Sequence, residues 1–130
     1  MENTISQEKI LGTWKLLDFK ITKPDGSTNN WGPNSNGVLI YDQSGYMSTS
    51  INSGSDVAIA ELDLEKHILF YSREYKVTGP NEINHFVTNA SNPSRINKNM
   101  IRSAKFNDKE ELELTAKGEY GHAYLRWKKA

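Results

Sequence analysis

The first strand-like segment of the 130-residue sequence reads Gly12-Thr13-Trp14-Lys15-Leu16-Leu17-Asp18-Phe19-Lys20-Ile21. A glycine at the start of a strand lets the backbone bend or approach a neighbour closely. Trp14 adds a large apolar side chain whose single N–H needs an acceptor when it is buried. The segment therefore predicts a strand whose tryptophan plugs a β-structure, which indicates an architecture with a cavity rather than a particular reaction.

The rest of the sequence continues as short runs rich in β-branched and aromatic residues. These runs predict eight strands, over residues 13–21, 37–42, 45–51, 68–78, 83–90, 99–106, 111–116 and 122–128. Turns such as Asp42-Gln43-Ser44-Gly45 separate them, and the short connections favour an up-and-down antiparallel meander. Closing the meander removes its exposed edges. We therefore predict one all-β domain over residues 1–130, an eight-stranded antiparallel barrel, with a half-open sheet around a helix as the competing architecture.

Two short helices interrupt the strand pattern. Either Thr4 with Gln7, or Ser6 with Lys9, starts a first helix that runs to about Leu11. A second helix is predicted near 56–66, lying over one end of the barrel.

Composition excludes several classes of function. Sixteen basic and sixteen acidic residues cancel without forming a block of one sign, so we expect no nucleic-acid partner. The sequence has no cysteine, which excludes disulfides, a thiolate nucleophile and zinc–thiolate sites. It has no apolar run of signal-peptide or membrane-spanning length, so we expect a cytoplasmic protein without membrane insertion. The oligomeric state stays open.

Several motifs follow one another in a fixed order along the chain. They are Leu11-Gly12-Thr13-Trp14-Lys15-Leu16, Asp25-Gly26, Gly37-Val38-Leu39-Ile40-Tyr41, Ser44-Gly45-Tyr46-Met47-Ser48, Tyr71-Ser72-Arg73-Glu74-Tyr75, His85, Asn92-Pro93, Arg102 and Leu125-Arg126-Trp127. As a set they resemble the lipocalin-like domain family, small and mostly bacterial proteins of the calycin group, over nearly the whole length. The resemblance implies a small barrel with a ligand cavity. The chain departs from the family at Arg73, where a Tyr-x-Gly-x-Tyr motif carries glycine, so the local geometry or pocket shape is expected to differ there.

Alternation along two strands places polar groups in the predicted lumen. His85 shares a strand face with Ile83 and Val87, and Arg102 is in phase with apolar residues of the following strand. A hairpin centred near 93–94 would set His85 opposite Arg102. Such groups in an apolar lumen orient a ligand, and Tyr71 or Tyr75 could add hydroxyls. The alternative is that His85 is a hydrogen-bonded core residue and that Arg102 stacks on a tryptophan or closes a barrel end.

Other aromatic residues have structural interpretations. The resemblance implies that Gly12 and Trp14 belong to the barrel framework, with Arg126 covering Trp14 through a cation–π contact. Trp31 lies in a predicted loop, where it either closes the mouth over a ligand or folds onto the barrel. Tyr41 flanks the Asp42–Gly45 turn and serves either hairpin packing or the rim of the mouth.

Catalytic motifs are scarce. His67 and His122 lie beside turns in polar surroundings, and no histidine spacing suits a metal. No phosphate loop or Gly-x-Ser-x-Gly elbow is present, so we expect no cofactor.

Three hypotheses about function remain open. In the first, the protein binds one small, mainly apolar molecule. In the second, it is an isomerase, cyclase or dehydratase with His85 as general acid or base and Arg102 stabilising an oxyanion. In the third, it is a structural or interaction protein whose lumen is filled by side chains.

Overall fold

The computed structural model describes residues 4–30, 35–52, 68–118 and 121–130. Its elements are α1 (Gln7–Ile10), β1 (Gly12–Thr22), β2 (Thr28–Asn30), β3 (Asn36–Tyr41), β4 (Tyr46–Asn52), β5 (Ile68–Gly79), β6 (Glu82–Ala90), a 3₁₀ turn (Pro93–Arg95), β7 (Lys98–Phe106), β8 (Leu112–Gly118) and β9 (Gly121–Lys129). The helix predicted near 56–66 and the side chain of Trp31 lie outside the described residues.

Eight of these strands form the predicted closed barrel. The order β1-β3-β4-β5-β6-β7-β8-β9 is antiparallel throughout, and β9 pairs back onto β1. The prediction of an eight-stranded up-and-down barrel is confirmed. The additional strand β2 was not predicted; it forms a short hairpin with the end of β1, where Ile21 pairs with Asn29.

Alternating burial shows why these segments become barrel strands. In β4 the inward residues Met47, Thr49 and Ile51 are buried, and the residues between them are exposed. In β6, Ile83 and Val87 are completely buried in the same way. Successive side chains of a strand point to opposite faces, so in these two strands the buried residues share the face that lines the lumen.

The backbone around Arg73 is irregular. The pairing of β5 with β6 shifts by one residue between Ser72 and Arg73, and Arg73 has a nearly extended φ of 158°. Simple alternation would point Arg73 inward, between Tyr71 and Tyr75. Its side chain is instead 45% exposed, and its guanidinium carbon lies 5.4 Å from the centre of the Tyr46 ring. The barrel thus accepts an arginine at the expected glycine position by placing the side chain outside, while both tyrosines stay buried.

The helix α1 covers one end of the barrel, which we call the floor. Ser6 is its N-cap, and the Ser6 hydroxyl oxygen accepts from the backbone N–H of Lys9 at 3.3 Å. The carbonyl of the buried Ile10 accepts from the indole N–H of Trp14 at 2.9 Å. Gly12 has a φ of +118°, a conformation that few other residues adopt, where the chain turns from the helix into β1.

The cation over Trp14 is Lys129, and the expected contact from Arg126 is wrong. The Lys129 Nζ lies 4.6 Å from the ring centre and donates to the carbonyl of Leu11 at 2.7 Å. Lys129 and Trp14 are directly paired in the β1–β9 ladder. Arg126 is three residues earlier on the same strand, so it points to the opposite face. There its Nη1 donates to the Glu111 carboxylate at 2.9 Å.

Candidate functional site

A cavity of about 580 Å³ lies in the lumen and reaches toward the end opposite the floor, where Lys23 and Arg95 line it. Its wall is mostly apolar and includes Phe19, Ile21, Leu39, Ile51, Leu69, Leu114 and Leu125. Small-molecule sites in proteins fall in the range of about 300–1,000 Å³ and share this apolar character. The described part of the lumen is therefore not filled by side chains.

His85 is completely buried on β6 and lines the cavity. Its Nε2 lies 2.7 Å from the hydroxyl oxygen of Tyr41, at the end of β3. Its Nδ1 lies 3.0 Å from the hydroxyl oxygen of Tyr71, on β5. Both ring nitrogens are thus engaged by tyrosines from other strands, and Tyr41 is a buried partner of His85 rather than part of the rim.

His85 and Tyr41 stay neutral because they are buried. Burial is the main cause that lowers the pKa of His85 to about 3, and the positive charge of Arg102 contributes further. Burial also raises the pKa of Tyr41 well above its usual value. A neutral imidazole has one N–H donor and one acceptor nitrogen. A general acid or base works best with a pKa near the working pH, a condition that His85 does not meet.

Arg102 lines the same cavity from β7, although its register differs from the prediction. His85 pairs with Met100, and Arg102 pairs with Ile83, so the expected His85–Arg102 pairing is wrong by two residues. The cause is the turn that includes Pro93–Arg95, which centres the hairpin between residues 92 and 93. A shift of two residues keeps the same strand face inward, so Arg102 still points into the lumen.

Among the described residues, the Arg102 guanidinium has only weak partners. Its Nη1 lies 3.4 Å from the carbonyl oxygen of Ile101, and its Nη2 lies 3.9 Å from the sulfur of Met100. Within the described ranges, no carboxylate forms an ion pair with it. Its donors are therefore available to a molecule in the cavity.

Trp127 is a cavity residue that the sequence reasoning missed. It is 1% exposed and lines the cavity, and its indole N–H has no acceptor among the described residues. A buried donor without a partner carries a cost of about 1–3 kcal/mol. The signal that could have found it is alternation along β9, where Ala123, Leu125 and Trp127 share the lumen face.

Tyr75 belongs to the floor and not to the predicted ligand site. Its hydroxyl donates to the carbonyl of Asp42 at 2.8 Å and lies 3.5 Å from the amide nitrogen of Gln7. It thereby ties β5 to the β3–β4 turn and to α1, and it does not line the cavity. Tyr71 does line it, as predicted.

The charged side chains among the described lining residues are all cations, namely Lys23, Arg95 and Arg102. No group of three or more metal-ligating side chains occurs in the part of the chain that the structure describes. In that same part, no helix combines the length and the apolar character needed to cross a membrane. The arrangement can donate hydrogen bonds and attract negative charge within an otherwise apolar space.

Comparison with known proteins agrees with this architecture. A redesigned β-barrel of known structure matches with a TM-score of 0.53 at 13% identity, covering 100% of this chain and 99% of the other. At this identity the likeness concerns the fold alone. No curated protein matches the sequence. The lipocalin-like domain family matches residues 11–130. The resemblance expected from the ordered motifs is thereby confirmed, and the chain belongs to the lipocalin-like domain family.

Proposed function

We propose that the protein binds one small, mainly apolar molecule in the barrel. The observation that carries the proposal is the cavity of about 580 Å³, which is walled by aliphatic and aromatic side chains. An apolar guest removes that surface from water, at roughly 25 cal/mol per Å² of apolar area. Membership of a lipocalin-like family supports hydrophobic ligand binding in general.

The few polar lining groups support orientation of the guest rather than a reaction on it. His85 has both nitrogens engaged and a pKa of about 3, which argues against it as the general acid or base of an isomerase, cyclase or dehydratase. The cavity argues equally against a structural protein with a filled lumen. Ligand binding is the hypothesis that gives the cavity a use and keeps His85 as a neutral side chain hydrogen-bonded to two tyrosines.

The first experiment is a fluorescence titration with N-phenyl-1-naphthylamine, a neutral apolar probe, together with native mass spectrometry. We expect saturable binding with one probe per chain. Native mass spectrometry of freshly purified protein would also reveal a co-purifying molecule. Absence of saturable probe binding by folded protein would overturn the proposal.

A matched pair of variants locates the probe. Ala116 is 4% exposed, lies on β8 and lines the cavity. Ala116→Trp should fill part of the lumen and weaken probe binding by about tenfold or more. Thr115→Trp, one residue earlier and on the opposite strand face, should leave binding unchanged. Equal effects of the two variants would place the probe outside the barrel.

A further inference from the structure

The direction of the hydrogen bonds through His85 follows from the burial of Tyr41. Within the described residues, the Tyr41 hydroxyl has His85 as its hydrogen-bonding partner. If Nε2 carried the ring proton, Tyr41 would accept from it, and the buried hydroxyl proton of Tyr41 would have no acceptor. Tyr41 therefore donates to Nε2, and the ring proton is on Nδ1.

This direction sets the role of Tyr71. The Nδ1–H of His85 donates to the Tyr71 oxygen across 3.0 Å, so the hydroxyl proton of Tyr71 is not used by the histidine. Tyr71 is 6% exposed and lines the cavity. Its O–H is thus a donor available to a guest. His85 is a positioning residue that acts through Tyr71.

Two further donors line the same space. The guanidinium of Arg102 lacks an ion-pair partner in the described part of the chain, and the buried indole N–H of Trp127 lacks an acceptor there. The charged lining residues among those described are cations. Among the described lining residues, the polar side of the cavity therefore offers donors and positive charge, and it includes no carboxylate that would repel an anion.

We propose that the ligand is an apolar molecule carrying a carboxylate, whose oxygens accept hydrogen bonds from Arg102 and Tyr71. This inference rests on the proposed function and adds the chemical class of the guest. A carboxylate accepts through two oxygens and forms strong charge-assisted bonds with a guanidinium. A neutral alcohol of the same chain length fills the apolar volume equally well and loses the charge-assisted contact.

The test compares two competitors that differ only in the head group. Dodecanoate and 1-dodecanol are each used to displace N-phenyl-1-naphthylamine at neutral pH, below their aggregation concentrations. We expect dodecanoate to bind about tenfold or more tightly than dodecanol. Equal potency of the two competitors would overturn the inference. Failure of the probe itself to bind would instead overturn the proposed function, so the two failures are distinguishable.

Single-residue variants then test which side chains cause the preference for dodecanoate over dodecanol. Arg102→Met, which keeps an unbranched apolar side chain, should abolish the preference for dodecanoate while the probe still binds. Arg73→Met is the matched control, because Arg73 lies on the outside of the barrel. Tyr71→Phe should reduce dodecanoate affinity by about fivefold to tenfold. A preference that survives Arg102→Met would overturn the assignment.

The direction of the two hydrogen bonds of the His85 ring can be measured without any ligand. Nitrogen-15 chemical shifts of the His85 ring distinguish a protonated from an unprotonated nitrogen. We expect Nδ1 protonated and Nε2 unprotonated near neutral pH. The opposite tautomer would direct the Tyr71 proton to the histidine and remove Tyr71 as a donor to the ligand.

Discussion

The hydroxyl oxygen of Tyr41 lies 2.7 Å from Nε2 of His85, and the two side chains are 1% and 0% exposed. This contact holds a neutral histidine in an apolar barrel interior. A buried polar pair of this kind stabilises the fold only while both partners keep their protonation states and hydrogen bonds. Stability should therefore respond to pH and to removal of either partner.

The pH dependence of stability should report His85. Its folded-state pKa of about 3 is below its ordinary value of 6.5, so the unfolded chain takes up the proton first as the pH falls. The histidine's contribution is complete above about pH 6.5 and is lost toward about pH 3, by up to about 1.4 kcal/mol per pH unit. At about pH 4.5 the loss from this residue is about 3 kcal/mol. Urea unfolding at a series of pH values measures it.

Carboxylates also titrate in this window, so the comparison is between variants. His85→Gln should lower stability at neutral pH and flatten the dependence of the free energy of unfolding on pH. His122→Gln is the control, because His122 is exposed at the start of β9. Identical slopes for wild type and His85→Gln would contradict a pKa lowered by burial.

Removing the Tyr41 hydroxyl should destabilise the protein. Tyr41→Phe leaves Nε2 of His85 buried without its donor, at an expected cost of about 1–3 kcal/mol. Tyr46→Phe removes the same atom from a residue that is 48% exposed, and it should change stability by less than about 0.5 kcal/mol. Chemical denaturation measures both, and equal losses would mean that the Tyr41–His85 bond contributes nothing specific.

The contact of Lys129 with Trp14 should be detectable at the floor. Lys129→Met removes the cation over the ring and the hydrogen bond to Leu11, and we expect a loss of about 0.5–1.5 kcal/mol. The Trp14 indole N–H resonance should shift as well. Lys128→Met alters an exposed neighbour of opposite strand phase and should leave that resonance in place.

A variant of Arg126 tests from the other side whether Lys129, and not Arg126, contacts Trp14. Its ion pair with Glu111 lies on the outer face, with side chains 31% and 15% exposed, so it is partly screened by solvent. Arg126→Met should reduce stability by less than about 1 kcal/mol and leave the Trp14 resonance unchanged. A shift of that resonance as large as the one in Lys129→Met would restore Arg126 as the partner of Trp14.

Alternation predicted the barrel because each long strand carries its own apolar set. It failed for β2, since Thr28–Asn30 is three polar residues whose one partner among the described strands is the end of β1. It also predicted that His85 and Arg102 face the lumen, but their relative register depended on the turn at Pro93–Arg95, whose geometry the sequence did not define. An error of two residues in a predicted turn leaves each side chain on the same face of the sheet and changes its partner on the neighbouring strand.

The candidate site was less predictable than the fold, because its members meet across strands that are distant in sequence. The partnership of Tyr41 with His85 joins residues 44 positions apart. The unpaired donor of Trp127 depends on what surrounds its nitrogen, which alternation does not describe. Tyr71 and Tyr75 share a strand face, yet of the two only Tyr71 lines the cavity. The hydroxyl of Tyr75 is instead hydrogen-bonded to Asp42 and Gln7 at the floor.

The pairing of β1 with β9 has a consequence for the order of events during folding. The bond from Lys129 to the carbonyl of Leu11 spans 118 positions of the chain, and the whole seam joins strands of similar separation. Contacts this distant in sequence form slowly, because a long loop must close before they are gained. Until the seam closes, the edges of β1 and β9 and the apolar lumen face water together. The barrel domain is therefore most prone to aggregation just before β9 docks on β1.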